Sequence, residues 1–148
     1  MEMESIVLKS KQDTINLAKK IAKQCKRGDI ITLRGTLGAG KTFFTNAFIN
    51  AIYEKEGKEK IDVTSPTFNI VKIYETKNFP IYHYDLYRLK SSDELYELGI
   101  EESLEEGVNL IEWPEIAEDI IGDDVLDIQI KHNRDREERI AEIRNRII

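Results

Sequence analysis

The sequence predicts an α/β fold, a mixed β-sheet flanked by helices in a single domain over residues 1–148. Three observations lead there. The β-branched run "DIITLR" reads as a buried strand, and a glycine-broken turn follows it at once. The turn opens into "KTFFTNAFINAIYEKEG", whose apolar residues recur at helical spacing. Beyond that pair, strand-like runs keep alternating with helical segments, as they do when helices pack around a sheet. A chain of 148 residues is long enough to enclose one core.

Each element has a local reason. In "DTINLAKKIAKQCKRG", Ile15, Ala18, Ala22 and Cys25 share a helical face, with Ile21 beside them. Asp13 or Thr14 is suited to cap its start and Gly28 to end it. The helix after the glycine turn is expected to face Phe44, Ala47, Phe48, Ala51 and Ile52 inward and to stop at Gly57. "VTSPTFNIVKIYE" starts as a polar turn around Pro66 and becomes a strand. "FPIYHYDLYRL" is a second strand close behind, so the two are expected to form a β-hairpin. "SSDELYELGIEESLEEG" reads as helix, capped by Ser91 or Ser92 and broken at Gly99. "GVNLIEWPE" is a buried strand and "EIAEDIIG" a short helix. "VLDIQIKHN" alternates Leu126, Ile128 and Ile130, the period-two mark of a half-covered strand. The tail "REERIAEIRNRII" fits a helix through Ile140, Ile143 and Ile147, or a strand paired with "LDIQIKH"; periodicity favours the helix.

Composition excludes several classes. Hydrophobic residues make up 41% and charged residues 34%, the balance of a globular chain rather than a disordered one. No apolar run approaches the roughly 20 residues of a membrane span. "MEMESIVLKS" lacks the basic start and apolar centre of a signal peptide. The single cysteine, Cys25, has no internal disulfide partner and reads as a small buried hydrophobe rather than a catalytic thiol. A reducing, cytoplasmic setting is expected. The net charge of −6 is unevenly spread. Ser91 to Asp127 carries acids and no Lys or Arg, whereas basic residues outnumber acidic ones before Lys60 and after Ile130. The acidic middle repels a nucleic-acid backbone and reads either as a solvated face or as a docking face for a basic protein.

The chemistry begins at "RGTLGAGKTFF". Gly35, four residues, then Gly40-Lys41-Thr42 is a phosphate-binding loop, placed as required between a strand and a helix, and the fold expected is therefore P-loop NTPase-like. Gly35, Gly38 and Gly40 allow backbone N–H groups to converge on phosphate oxygens. The positive end of the following helix points at the same anion. Lys41 supplies a mobile point charge to the outer phosphates, and Thr42 a hydroxyl for a magnesium ion. A second magnesium anchor usually sits at the tip of a buried strand. Glu112 in "VNLIE" fits, as a Glu where Asp is more usual, and Asp85 in "YHYDLYR" competes. Either acid taken alone is equally readable as a surface charge. No Asn-Lys-x-Asp motif is present to read guanine, and no Arg-rich lid to close over two kinase substrates. Arg88 is single and is also placed to pair with acidic neighbours. The loop thus reads as ATPase-like with incomplete equipment, which a partner would complete.

Taken together, "LRGTLGAGKTFF", "VTSPTFNIV", "IYHYDLYRL", "DELYELGIEE" and "NLIEWPE" closely resemble the TsaE (YjeE) family, from about Thr14 to Arg139. These are small bacterial P-loop ATPases that assist threonylcarbamoyladenosine modification of tRNA. The resemblance implies ATP and Mg2+ as cofactors, with Leu37, Gly38, Ala39, Gly40, Lys41, Thr42 and Phe43 around the phosphates. It implies Thr42 and Glu112 as magnesium ligands and Asp85 near the terminal phosphate, needed for hydrolysis. Val63-Thr64-Ser65-Pro66-Thr67 becomes a switch-like segment and Trp113 a relay beside Glu112, though Trp113 alone would read as core and Thr64 and Thr67 as turn residues. His83 reads as structural rather than as a base. The adenine end is implied at Lys11 and at the turn around Asp135 and Arg136. The tail is implied to be a strand, against its helical periodicity. The partner implied is a TsaB–TsaD pair, with tRNA engaged only indirectly and no membrane.

Three functions follow from these readings: an ATPase serving a tRNA-modifying complex, a small-molecule or protein kinase, and a nucleotide-sensing module with negligible turnover.

Overall fold

The run "IITLR" lies at the middle of the molecule as β2 (Ile30–Arg34), with four of its five residues buried. The computed structural model describes residues 3–36, 38–133 and 138–144. Ahead of β2 come β1 (Met3–Leu8) and α1 (Lys11–Gln24). After it come α2 (Lys41–Lys55), β3 (Val71–Glu75) and β4 (Pro80–Asp85). Then follow α3 (Asp93–Glu97), α4 (Ile100–Glu106), β5 (Val108–Glu112), a 3-10 turn (Pro114–Ala117) and α5 (Glu118–Ile121). β6 (Leu126–Asn133) and β7 (Glu138–Arg144) close the order.

The strands form one seven-stranded sheet ordered β1-β7-β6-β2-β5-β4-β3. Its centre is parallel: β2 pairs with β5 and β6, and β4 pairs with β5. Its flanks are antiparallel, with the expected β3–β4 hairpin on one side and β6, β7 and β1 on the other. This is the mixed α/β sheet that the sequence predicts. Both faces are covered, so the alternation along each central strand feeds two cores. Ile31, Leu33, Val108 and Leu110 pack with Phe44, Phe48 and Ile49 of α2 and Leu17, Ala18 and Ile21 of α1. Ile30, Tyr84 and Ile111 pack on the other side with Leu95, Ile100, Ala117 and Ile121. Phe44 and Phe48 stack at 6.4 Å between ring centroids, and cutting Phe48 to Ala would cost about 3–5 kcal/mol.

Several expectations are corrected. The tail is a strand, as the family resemblance implies, and not the helix that its periodicity favours. β7 lies between β6 and β1, and its buried residues are Ala141 and Ile143, two apart. Ile140 faces the other side and is half-buried. The isoleucine spacing that suggested a helix comes from two faces of one strand that are both partly covered. Ile147 lies outside the described residues. The N-terminal "MESIVL" is a strand that patterning did not announce, because on this edge only Leu8 is buried. α1 begins earlier than Asp13: Ser10 is its cap and its hydroxyl accepts from the Asp13 amide at 3.3 Å, while Asp13 accepts from the Lys9 amide. In α2, Ala51 and Ile52 are half-buried and Ile49 is buried in their stead. Cys25 is half-buried and its thiol is pushed up to about 12 by burial, with Asp29 adding to the shift. That is the inert cysteine the composition suggested. Among the described residues no helix is long and apolar enough to cross a membrane.

Candidate functional site

The site forms where the parallel strands end. The β4–β5 register sets Asp85 opposite Glu112 and His83 opposite Leu110, while β2 sets Leu33 opposite Glu112. Side chains two apart on a strand share a face, so His83, Asp85 and Glu112 all project toward the α2 side. β2 feeds the glycine loop there, and the loop feeds α2 at Lys41.

The glycines of the loop are structurally required at identifiable points. Gly40, the residue before α2, has φ 115°, and Gly38 has φ 79°, with open space where a Cβ would stand. Gly35 is needed for a different reason. A Cβ there would meet the Ile130 carbonyl oxygen at 2.6 Å, so the loop is seated directly on β6. Lys41 is nearly buried; its ammonium donates to the Gly35 carbonyl at 2.6 Å and the Thr36 carbonyl at 3.2 Å. Burial pushes this ammonium below its ordinary range, and Glu112, Asp85 and Glu115 pull it back. It also lies 3.9 Å from the centroid of the Trp113 ring.

Thr42 and Glu112 meet directly. The Thr42 hydroxyl lies 3.2 Å from each Glu112 carboxylate oxygen. An octahedron with metal–oxygen bonds of about 2.1 Å has edges of about 3.0 Å, so these two hard donors suit neighbouring positions on a magnesium ion. Glu112 is buried, and its Oε2 sits 2.6 Å from Nε2 of the fully buried His83. Asp85 accepts from the Ser65 hydroxyl through Oδ2 and from the Tyr87 amide at 3.0 Å through Oδ1.

The segment around Pro66 is held from below. The Val63 amide donates to Asn46 Oδ1 at 2.9 Å, and Asn50 grips the Ile61 amide and carbonyl, so the segment is clamped to α2. Ser65 and Thr67 line the cleft; Thr64 is exposed and does not. Trp113 adopts a left-handed φ of 56°, which turns its ring under Lys41 and against Tyr87 at 4.8 Å. The resulting cleft, about 520 Å³, gathers Lys41, Thr42, Ser65, Asp85, Glu112 and Trp113. Arg88 lies on its rim. Among the described residues Arg88 makes no ion pair and instead rests over the ring of the exposed Phe68 at 5.0 Å.

A second cleft of about 390 Å³ adjoins the first across Gly38, Ala39, Gly40 and Phe43. Lys11 lines it, with its ammonium 5.8 Å from the Phe43 ring. Arg139 lines it too and donates to the Ala39 carbonyl at 3.0 Å. Patterning missed Arg139, and reading the tail as a strand would have set it beside the loop. Leu37 and the turn with Asp135 and Arg136 lie outside the described residues. The paired clefts offer an anion-binding loop with an apolar-floored extension, the arrangement expected for a nucleotide.

Known proteins resemble this chain over most of its length. The family model "Threonylcarbamoyl adenosine biosynthesis protein TsaE" matches residues 8–141. The protein named tRNA threonylcarbamoyladenosine biosynthesis protein TsaE from Rickettsia typhi is 45% identical over 124 residues, covering 84% of this chain and 83% of its own. Its namesake from Bacillus subtilis is 41% identical over 131 residues, covering 88% and 78%. The crystal structure of Bacillus subtilis YdiB superposes with a TM-score of 0.73 at 32% identity, covering 96% of this chain and 84% of that one. With its sheet and these relatives in agreement, the chain belongs to the TsaE family of tRNA threonylcarbamoyladenosine biosynthesis proteins.

Proposed function

We propose that this chain is a Mg2+-dependent ATPase that serves threonylcarbamoyladenosine modification of tRNA by acting on a TsaB–TsaD complex, without modifying tRNA itself. The observation that carries the reading is the convergence of Lys41, Thr42, Glu112, Asp85 and Ser65 in one cleft at the mouth of a phosphate loop. The loop amides and Lys41 bind the phosphates, Lys41 exchanging its bonds to Gly35 and Thr36 for phosphate oxygens. Thr42 and Glu112 hold magnesium, which when bound neutralises charge on the outer phosphates. Asp85 orients the attacking water, and its bond from Ser65 ties that role to the switch-like segment. The adenine lies in the second cleft between Lys11 and Arg139.

Partner dependence has its own support. Among the described residues that line the cleft the cations are Lys41 and Arg88, and Arg88 rests over Phe68 at the rim, which leaves a partner to supply or reposition the second charge. The acidic stretch from Ser91 to Asp127 disfavours direct tRNA contact and favours a basic protein face. We place the work in the cytoplasm, where tRNA is modified.

The test measures phosphate release from ATP with and without TsaB–TsaD. Stimulation by the pair is expected. Transfer of labelled phosphate to an acceptor would make the chain a kinase. Tight binding with no turnover, even beside the pair, would make it a nucleotide-sensing module.

A further inference from the structure

We propose that His83 is a positioning residue for the magnesium site: its imidazole Nε2–H fixes the Glu112 carboxylate in the orientation that faces Thr42. The inference rests on the reading of Thr42 and Glu112 as the magnesium pair.

Three observations carry it. First, His83 is fully buried, and its Nε2 lies 2.6 Å from Glu112 Oε2. A carboxylate oxygen only accepts, so Nε2 carries the hydrogen and donates. Second, the other ring nitrogen, Nδ1, is buried and makes no hydrogen bond among the described residues. A histidine kept for packing alone would leave both nitrogens a burden there, where Phe or Leu would fill the space without cost. An unpaired buried acceptor is destabilising, and the charge-assisted bond to Glu112 is the interaction that offsets it. Third, Glu112 needs a tether. A Glu has one more rotatable bond than the Asp more usual at such a strand tip, and Lys41 lies within the field of its charge. A carboxylate left loose would have a competing cation nearby. With Oε2 held by His83, the two oxygens sit equally at 3.2 Å from the Thr42 hydroxyl. The β4–β5 register fixes the spacing between donor and acceptor, because His83 pairs with Leu110, two residues before Glu112 on the same face.

The test uses Mn2+ as the probe metal with a non-hydrolysable ATP analogue, read by electron paramagnetic resonance. His83→Phe is expected to weaken Mn2+ binding to the nucleotide complex by about 10–100-fold, while nucleotide binding in EDTA stays unchanged. His83→Gln, which keeps an N–H donor, is expected to recover most of the loss. In 15N-histidine spectra of the wild-type protein the His83 hydrogen is expected on Nε2. Unchanged Mn2+ affinity in His83→Phe would overturn the proposal, as would an equal loss of metal-free binding, which marks a structural role. A hydrogen on Nδ1 with bare Nε2 would overturn it even if His83→Phe failed to fold. Failure of the wild-type complex to bind Mn2+ at all would instead remove the magnesium-pair reading, and this inference with it.

Discussion

At the phosphate end of the cleft, Lys41, Thr42, Ser65, Asp85, Glu112 and His83 are linked to one another or to the loop backbone before any ligand arrives. At the other end, Lys11 reaches in from the start of α1 and Arg139 from the last described strand. The bond that ties that end to the loop is the one from Arg139 to the Ala39 carbonyl. The first half is therefore preorganised for charge. The second is a wall of mixed polarity assembled from the two extremes of the chain. If the chain is the ATPase proposed above, the difference divides chemistry from affinity: the first half should govern turnover, and the far half how tightly the nucleotide is held.

Substitutions can break that division. The largest effect is expected from Lys41→Ala, which should lower phosphate release at least about 100-fold in a steady-state assay with the partner pair present. Asp85→Ala should also cut release by about 100-fold or more, yet leave nucleotide binding within about threefold, since no phosphate contact is removed. Matching losses of binding and turnover in Asp85→Ala would merge the two halves. Gly35→Ala tests the seam between them. Its Cβ would press on the Ile130 carbonyl, and we expect a cost of about 1–3 kcal/mol by thermal unfolding, the usual scale of an overpacked core site. Arg139→Ala should raise the nucleotide Kd by about fivefold, one hydrogen bond's worth, with kcat unchanged. A change in kcat instead would contradict the division directly. The smallest effect concerns Cys25, which lies at neither end. Its thiol, pushed up to about 12, should react with a thiol reagent at pH 8 far more slowly than free cysteine, as followed by absorbance.

The two halves also differ in how far they could be read from sequence. Gly35 to Thr42 are contiguous, so their strand-to-helix setting is written locally. Asp85 and Glu112 were recognisable as acids at strand tips, but their side-by-side register is a property of β4 meeting β5. His83 read as structural because nothing local shows which acid it meets. The far half was scarcely legible. β7 is partly covered on both faces and the edge strand β1 is buried at Leu8 alone, so their apolar residues follow neither period cleanly. Arg139 enters the site only through that pairing. Local chemistry was visible; contacts between residues a hundred positions apart were not.

The pairing of β1 with β7 has a consequence for how the chain is made. β1 is synthesised before every other described strand, and its sheet neighbour among the described residues, β7, after all of them. On the ribosome, the ladder groups of β1 must wait for β7 until the strands between them in sequence have been made. β2 waits likewise for β5 and β6. The glycine loop is thus translated before both its seat on Ile130 and its neighbour Glu112. A nascent chain halted before β5 would carry the complete glycine motif and still lack Glu112.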